Sequence, residues 1–138
     1  MAETTTAKDV RAFSKPENPA GYLAVLTALT TGILHLYLTP GAFEAAGTLG
    51  GVLFILNGIG FIGGTVLYVS KYWRRGLFLV AAIFALASIL AMFNVHGWGV
   101  EAFYRDGSIA QWAILAKSAE SVLIGCSLYL FSNSYSSH

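Results

Sequence analysis

Two ionisable residues, Lys117 and Glu120, lie three positions apart in the last long apolar stretch of the chain. A helix places side chains at this spacing on one face, so the ammonium group can pair with the carboxylate. Charged groups at membrane depth are costly, and they face a protein interior, a partner or a water-filled cavity. At about 1.5 Å per residue, Asn57 of an earlier apolar stretch falls at a similar depth. The three residues therefore predict an intramembrane polar cluster.

Two interpretations of this cluster remain open. The first is a proton-handling or ligand-binding site. The second is structural, in which the ion pair sets helix register or docks a partner subunit. The second is favoured, because one lysine and one glutamate without further acidic residues make a poor proton path.

Two histidines form a second constellation. His35 and His96 lie near the ends of two apolar stretches that should run in the same direction, with Glu44 and Glu101 in loops on that side. Imidazole and carboxylate ligands suit copper or zinc, and two imidazoles can ligate haem. The structural alternative, a hydrogen-bonded or solvated histidine, is favoured. No cofactor is therefore predicted, and copper and haem stand as alternatives.

Other chemistry is not indicated. The single cysteine, Cys126, excludes an internal disulfide. A net charge of +1 without an extended basic patch argues against a nucleic-acid partner. No nucleophile–base arrangement or phosphate-binding loop is present, so we expect the chain not to be an enzyme.

Composition places these residues in a membrane. Of 138 residues, 56% are hydrophobic and only 11% are charged, whereas soluble domains carry about 25% charged residues. Four segments have roughly the 20 residues that a spanning helix needs, and Thr39-Pro40-Gly41 is predicted to end the first. The segments are Ala20–Leu38, Leu49–Ser70, Gly76–Val95 and Ile109–Phe131. We predict an all-α membrane protein, an antiparallel four-transmembrane-helix bundle over residues 20–132, with polar tails at 1–19 and 133–138.

The distribution of basic residues predicts the orientation. Six lie in the N-terminal tail and in the turn between the second and third helices, and only Arg105 lies on the other side; the six are Lys8, Arg11, Lys15, Lys71, Arg74 and Arg75. Cytoplasmic loops carry an excess of lysine and arginine. Both termini should therefore be cytoplasmic, in the plasma membrane, with the first helix kept as an uncleaved anchor.

Small residues predict where helices approach closely. Gly60 and Gly64 have the GxxxG spacing, and Ala81 and Ala85 of the next helix match them. Such faces allow close backbone contact. Packing between these two helices is favoured, and dimerisation is the alternative.

Three motifs carry a family resemblance: His35-Leu-Tyr-Leu-Thr-Pro40, Leu56-Asn-Gly-Ile-Gly-Phe-Ile-Gly-Gly64 and Tyr72-Trp-Arg-Arg75. With them, residues 20–130 resemble small four-helix integral membrane proteins of uncharacterised archaeal families, of the haloarchaeal type. The resemblance implies the same fold and an archaeal plasma membrane. It implies no activity.

The leading functional hypothesis is a small non-catalytic accessory or assembly subunit of a larger membrane complex, for example an energy-transducing or metal-dependent oxidoreductase complex. Its partners would be the lipid bilayer and other membrane subunits or further copies of the chain. One alternative is a metal- or haem-binding electron-transfer protein using His35 and His96. Another is a small oligomeric proton-coupled carrier centred on Lys117 and Glu120.

Overall fold

Three helices make up most of the molecule. The computed structural model describes residues 12–134, and its helices are α1 (Pro19–Tyr68), α2 (Leu77–His96) and α3 (Gln111–Ser134). All three are long and apolar enough to cross a membrane. The predicted all-α class is confirmed, and a membrane location is plausible on helix length and hydropathy. The predicted tail residues 1–11 and 135–138, with Lys8 and Arg11, lie outside the described part.

The prediction of four separate helices is wrong, because α1 runs for 50 residues through the first two predicted spans. Pro40 lies inside α1 and does not end it. Proline lacks the N–H that would bond to the carbonyl of Leu36, but apolar spanning helices tolerate such a loss where neighbouring groups compensate. The hydroxyl of Thr39 donates to the His35 carbonyl oxygen at 2.8 Å in this turn.

The helical backbone of α1 is interrupted at Gly47 instead. This residue has φ 68° and ψ −165°, a conformation that is essentially restricted to glycine. It divides α1 into a first limb, residues 19–46, and a second limb, residues 48–68. Glu44, predicted in a loop, is therefore an exposed helical residue of the first limb.

The two limbs lie against each other where two glycines meet. A Cβ atom on Gly32 would lie 3.1 Å from the Gly58 carbonyl oxygen, and one on Gly58 would lie 2.9 Å from the Gly32 carbonyl oxygen. Side chains at these positions would push the backbones apart. The limbs therefore approach closely because both residues lack a side chain.

One end of the molecule, here called the turn end, gathers three separate parts of the chain. Residues 12–14 pair with residues 69–71 through hydrogen bonds from Ser14 N to Val69 O (2.8 Å) and from Lys71 N to Ala12 O (3.0 Å). The guanidinium of Arg75 donates to the carbonyl oxygen of Phe131 at 3.0 Å, which places the last turns of α3 here too.

The opposite end, here called the hairpin end, carries structure that was not predicted. A 3-10 turn (Val100–Phe103) leads into a two-stranded hairpin, β1 (Tyr104–Arg105) and β2 (Ser108–Ile109). Asp106 and Gly107 connect the strands with φ of 52° and 77°, as in a type I′ turn. Asp-Gly is a preferred pair for this turn, so the sequence did contain the relevant pattern.

The predicted small-residue face is divided between two environments. A Cβ atom on Gly60 would collide with the ring of Phe84 on α2, and Ala85 is fully buried. Nothing lies within 4 Å of a Cβ position on Gly64, and Ala81 is half-buried. Gly60 thus packs within the chain, whereas Gly64 faces open space.

Candidate functional site

A stripe of polar side chains runs along the first limb at intervals of four residues: Thr27, Thr31, His35 and Thr39 are all buried. Residues at this spacing share one helix face. The Thr27 and Thr39 hydroxyls bond to carbonyl oxygens one turn earlier. Thr31 and His35 instead reach side chains outside the first limb. The stripe therefore turns toward the protein interior.

Glu120 lies at the centre of the interior and is 0% exposed. Its Oε1 accepts hydrogen bonds from the hydroxyls of Thr31 and Ser88, each at 2.8 Å. Lys117, one turn earlier on α3, donates to Oε2 at 2.9 Å and to Oε1 at 3.2 Å. The carboxylate is thereby held by the first limb, α2 and α3 together, which compensates much of the cost of burying its charge.

Lys117 is 9% exposed and makes further contacts with α2. Its Nζ lies 3.1 Å from the hydroxyl oxygen of Ser88 and 3.3 Å from the Ser88 carbonyl oxygen. An ammonium group has three donors, and Glu120 with Ser88 uses all of them. The ion pair is therefore fully hydrogen-bonded inside its own chain.

His35 joins the same cluster through Asn57 of the second limb. The Asn57 Nδ2 atom lies 2.8 Å from both Ser88 Oγ and His35 Nε2. With the amide in this orientation, Nε2 accepts, and Nδ1–H donates to the Thr31 carbonyl oxygen at 2.8 Å. Both ring nitrogens are satisfied by the neutral Nδ1–H tautomer. Two aromatic rings, Phe54 and Phe61, lie beside the imidazole with centroids at 5.1 and 6.1 Å.

We call these six residues the interior polar network: Thr31, His35, Asn57, Ser88, Lys117 and Glu120. The structure brings together the predicted cluster of Asn57, Lys117 and Glu120, with Ser88 linking the amide to the ion pair. Sequence reasoning missed Thr31 and the role of Ser88, and it assigned His35 to a different constellation. The four-residue spacing of the first-limb stripe was the pattern that could have identified Thr31 and His35 as inward-facing.

The remaining metal candidates lie apart from this network. His96 is exposed at the last position of α2, and Glu44 and Glu101 are exposed. Within residues 12–134, no three or more His, Cys, Asp or Glu side chains are grouped so that they could hold a metal ion. Both nitrogens of His35 already have hydrogen-bonding partners. The structure thus does not assemble the four candidates into one ligand set.

A cavity of about 490 Å³ reaches Lys117 from the hairpin end. Its wall is mainly apolar and aromatic, with contributions from α2, the 3-10 turn, the hairpin and α3. The polar lining residues are Lys117, Ser118, Ser121 and Tyr104. Small-molecule sites are typically apolar clefts of about 300–1,000 Å³ with a few convergent polar groups. We call this space the hairpin-side cavity.

The sequence matches a known family over most of its length. A family model described as a family of unknown function (DUF7475) matches residues 6–131, which agrees with the resemblance to an uncharacterised family, while an archaeal source stays a prediction. Comparisons with curated proteins and with solved structures gave no match. Because the family model covers nearly the whole chain, this protein belongs to the family DUF7475.

Proposed function

We propose that this protein is a small membrane carrier that binds a hydrophobic organic anion together with a proton. One observation carries the proposal. Lys117 lines the hairpin-side cavity, yet its charge is balanced by Glu120, a carboxylate that is fully buried behind it. The protonation of one group therefore controls the charge that the other presents to the cavity.

The coupling follows from charge balance. With Glu120 ionised, the ion pair is neutral and an anion in the cavity gains little from Lys117. When Glu120 takes up a proton, Lys117 is left with an uncompensated charge in a low-dielectric interior, which is costly. An anion beside Lys117 then restores neutrality. Because linkage is reciprocal, the anion must in turn favour protonation of Glu120.

The lining of the cavity indicates the class of anion. Phe93, Phe103 and Ile109 offer apolar surface, while Ser118 and Ser121 add hydroxyl groups near Lys117. An apolar or aromatic body with a single carboxylate or sulfonate matches this distribution. A multiply charged anion would fit less well, because the cavity lining offers it one cation, Lys117, and an otherwise mainly apolar wall.

The arrangement in the membrane is part of the proposal. We infer that the two limbs of α1, α2 and α3 make four crossings, with both termini cytoplasmic. Two observations support this: residues 12–14, the 69–76 turn and the end of α3 share the turn end, and Lys15, Lys71, Arg74 and Arg75 belong to that end. Four crossings are few for a carrier, so the active form is expected to be an oligomer.

Single cysteines test the orientation. In a Cys126→Ser background, Ser14→Cys and Ser132→Cys should react with a membrane-impermeant maleimide only from the cytoplasmic side. Ser108→Cys, in the hairpin, should react only from the outside. Labelling of Ser14→Cys and Ser132→Cys from opposite sides would contradict four crossings.

Anion binding tests the function directly. Benzenesulfonate keeps its charge across the working pH range, so a change in its affinity reports on the protein alone. Calorimetric titration of the detergent-purified protein should show binding that tightens by up to about tenfold for each pH unit of acidification, with one proton taken up. Glu120→Gln, which mimics the protonated carboxyl group, should bind independently of pH. Lys117→Met should not bind.

An exposed carboxylate provides the matched control. Glu101→Gln, in the 3-10 turn, should retain the pH dependence of the unmodified protein. If Lys117→Met binds benzenesulfonate as well as the parent does, the carrier proposal fails. The same conclusion follows if Glu120→Gln keeps the full pH dependence.

A second candidate is the accessory subunit of a larger membrane complex. Exposed apolar side chains at the hairpin end favour this candidate, because a partner subunit could cover them. They include Trp98 (69% exposed), Val100 (77%) and Trp112 (51%). Native mass spectrometry of the protein extracted from its own membrane tests this candidate. Heterologous subunits that are lost in Trp98→Ser but kept in Tyr72→Ser, at the turn end, would support it. A homo-oligomer alone would favour the carrier.

A further inference from the structure

Glu120 is fully buried, so its carboxylate can take up a proton only through a neighbouring group. Four described side chains surround it. The Thr31 and Ser88 hydroxyls donate to Oε1. Lys117 Nζ donates to both carboxylate oxygens, and His35 Nε2 lies 3.9 Å from Oε1. Any proton that reaches Glu120 in this structure therefore passes one of these four groups.

Lys117 connects the carboxylate to the hairpin-side cavity. Its ammonium group lies 2.9 Å from Glu120 Oε2, and the same side chain lines the cavity. The cavity opens at the hairpin end, where Val100 and Tyr104 of its lining are exposed. A space of about 490 Å³ with polar groups in its wall has room for several water molecules. Lys117 thus has the carboxylate on one side and water-accessible volume on the other.

The other three neighbours of Glu120 do not offer such a connection. Thr31, Ser88 and His35 are all buried, and none of these three described residues lines the hairpin-side cavity. The imidazole already donates from Nδ1 to the Thr31 carbonyl oxygen, and its Nε2 faces the amide of Asn57, which does not titrate. A proton on any of these groups would itself need a further route from outside.

The turn-end side of the ion pair is closed by an apolar layer. Beyond Glu120, α3 runs toward the turn end, and its side chains there join a buried cluster with rings of the second limb and α2. The members of this layer are Leu123, Cys126, Leu130, Phe61 and Phe78. Proton exchange is therefore favoured from the hairpin end.

The titratable groups around the pair come from three directions. His35 faces it from the first limb, Tyr104 of the hairpin lines the same cavity as Lys117, and Cys126 belongs to the apolar layer on α3. The second limb and α2 face the network with Asn57 and Ser88, which do not titrate. Among these described groups, Lys117 alone both contacts the carboxylate and lines the cavity.

We propose that Glu120 exchanges its proton with the hairpin-side cavity through Lys117, which makes the lysine the proton carrier for the carboxylate as well as its counter-charge. This role rests on the proposed function, because it requires that Glu120 takes up a proton. It adds the route that the proton follows and the end of the molecule from which it comes.

The exchange takes two balanced steps. The ammonium group first passes a proton along its 2.9 Å hydrogen bond to Glu120 Oε2. An N–H bond breaks and an O–H bond forms, so a neutral amine faces a neutral carboxyl group and no uncompensated charge is left in the interior. The lone pair of the amine then takes a proton from a hydronium ion in the cavity, which becomes water. The sum is one proton on Glu120 and a restored charge on Lys117.

Time-resolved infrared spectroscopy tests this route in the full-length protein in detergent. It follows the carbonyl stretch of the protonated Glu120 carboxyl group, identified as the band that is missing in Glu120→Gln. An equilibrium pH titration of each variant, with and without benzenesulfonate, first locates the range in which the band appears. A rapid drop in pH through that range then gives the rate at which Glu120 is protonated.

Lys117→Arg should slow this rate by about tenfold or more, because a guanidinium group keeps the positive charge but does not release its proton in proteins. Lys71→Arg is the matched control, since Lys71 is exposed at the turn end, and its rate should equal that of the unmodified protein. Should Lys117→Arg not fold, Ser118→Phe obstructs the cavity beside Lys117 and should also slow the rate. Its control is Ser132→Phe, at an exposed position near the end of α3.

The outcomes separate this role from the proposed function. Slow protonation in Lys117→Arg with a normal rate in Lys71→Arg supports the route. Equal rates in the two variants overturn it, while a titration that still shifts with benzenesulfonate leaves the proposed function standing. Equal rates in Ser118→Phe and Ser132→Phe likewise overturn the route. Absence of the band in the unmodified protein, even with benzenesulfonate, contradicts both.

Discussion

Thr31 and Glu120 are 89 positions apart in the chain, and the Thr31 hydroxyl donates a 2.8 Å hydrogen bond to the Glu120 carboxylate. Both side chains are 0% exposed. The bond joins the first helix to the last at the centre of the interior polar network. It explains how an ionised group can be buried in this fold without an external partner, because hydroxyl donors from two helices supplement the i,i+3 ion pair.

Removing one partner of the Lys117–Glu120 ion pair should destabilise the protein more than removing both. Lys117→Met leaves a buried carboxylate uncompensated, and Glu120→Gln does the same to the ammonium group, so each should lower the free energy of unfolding by about 3–5 kcal/mol. The double variant Lys117→Met, Glu120→Gln should recover most of that loss. Denaturant unfolding in detergent, followed by circular dichroism, measures all three. Simple additivity of the two losses would contradict a coupled pair.

The hydroxyl of Thr31 should contribute measurably on its own. Thr31→Val keeps the shape of the side chain but removes the donor to Glu120, so we expect a loss of about 1.5–3 kcal/mol, as for a bond to a charged group. Thr30→Val is the control, because the Thr30 hydroxyl bonds only to the Leu26 carbonyl oxygen of its own helix. The same unfolding measurement applies. Equal effects at the two positions would show that the bond to Glu120 contributes nothing specific.

His35 should be a neutral Nδ1–H tautomer. Its Nδ1 lies 2.8 Å from the Thr31 carbonyl oxygen, and its Nε2 faces the Asn57 amide. Nitrogen-15 NMR of labelled protein should show a protonated Nδ1 and a bare Nε2. Asn57→Leu should change the Nε2 resonance and leave the Nδ1 bond in place. A proton found on Nε2 in the unmodified protein would mean that the Asn57 amide is oriented the other way.

The interruption of α1 should depend on glycine. Gly47→Ala places a Cβ atom on a residue with φ 68° and ψ −165°, which should cost about 1–3 kcal/mol. Gly41→Ala is the contrasting variant: Gly41 lies within α1 with nothing near its Cβ position, so alanine there should stabilise the helix by about 0.5–1 kcal/mol. Thermal unfolding of the two variants should therefore shift in opposite directions. Stabilisation by Gly47→Ala would argue for an uninterrupted helix.

Composition and hydropathy were sufficient to predict two aspects of the molecule: the all-α class and apolar helices of spanning length. A count of depth along the helices placed Asn57 level with Lys117 and Glu120, and in the structure Ser88 links the amide to that ion pair. The number of helices was not predictable in the same way. The Thr39-Pro40-Gly41 run predicts the end of a helix, because proline breaks helices in water. In the structure the chain continues through Pro40, and the change of direction occurs at Gly47, where a single glycine gives no distinctive pattern.

The candidate site was predicted only in part, for a physical reason. Threonine and serine are compatible with apolar helices, because their hydroxyls can bond to their own backbone, as Thr27 and Thr39 do. The four-residue spacing indicates that Thr31 faces inward, but it does not distinguish Thr31 from Thr27 or Thr39, and no local pattern identifies Ser88. Their role appears only when tertiary packing brings Glu120 within reach.

The interior polar network can be completed only late in the synthesis of the chain. Its members are divided among the first limb, the second limb, α2 and α3, and the two charges arrive last, on α3. Thr31 and Ser88 are synthesised before Glu120, the carboxylate to which both of their hydroxyls donate. A chain that ends before Glu120 lacks the acceptor that these two hydroxyls share, so the first limb and α2 are not yet joined through it. Synthesis of α3 therefore completes the interior polar network.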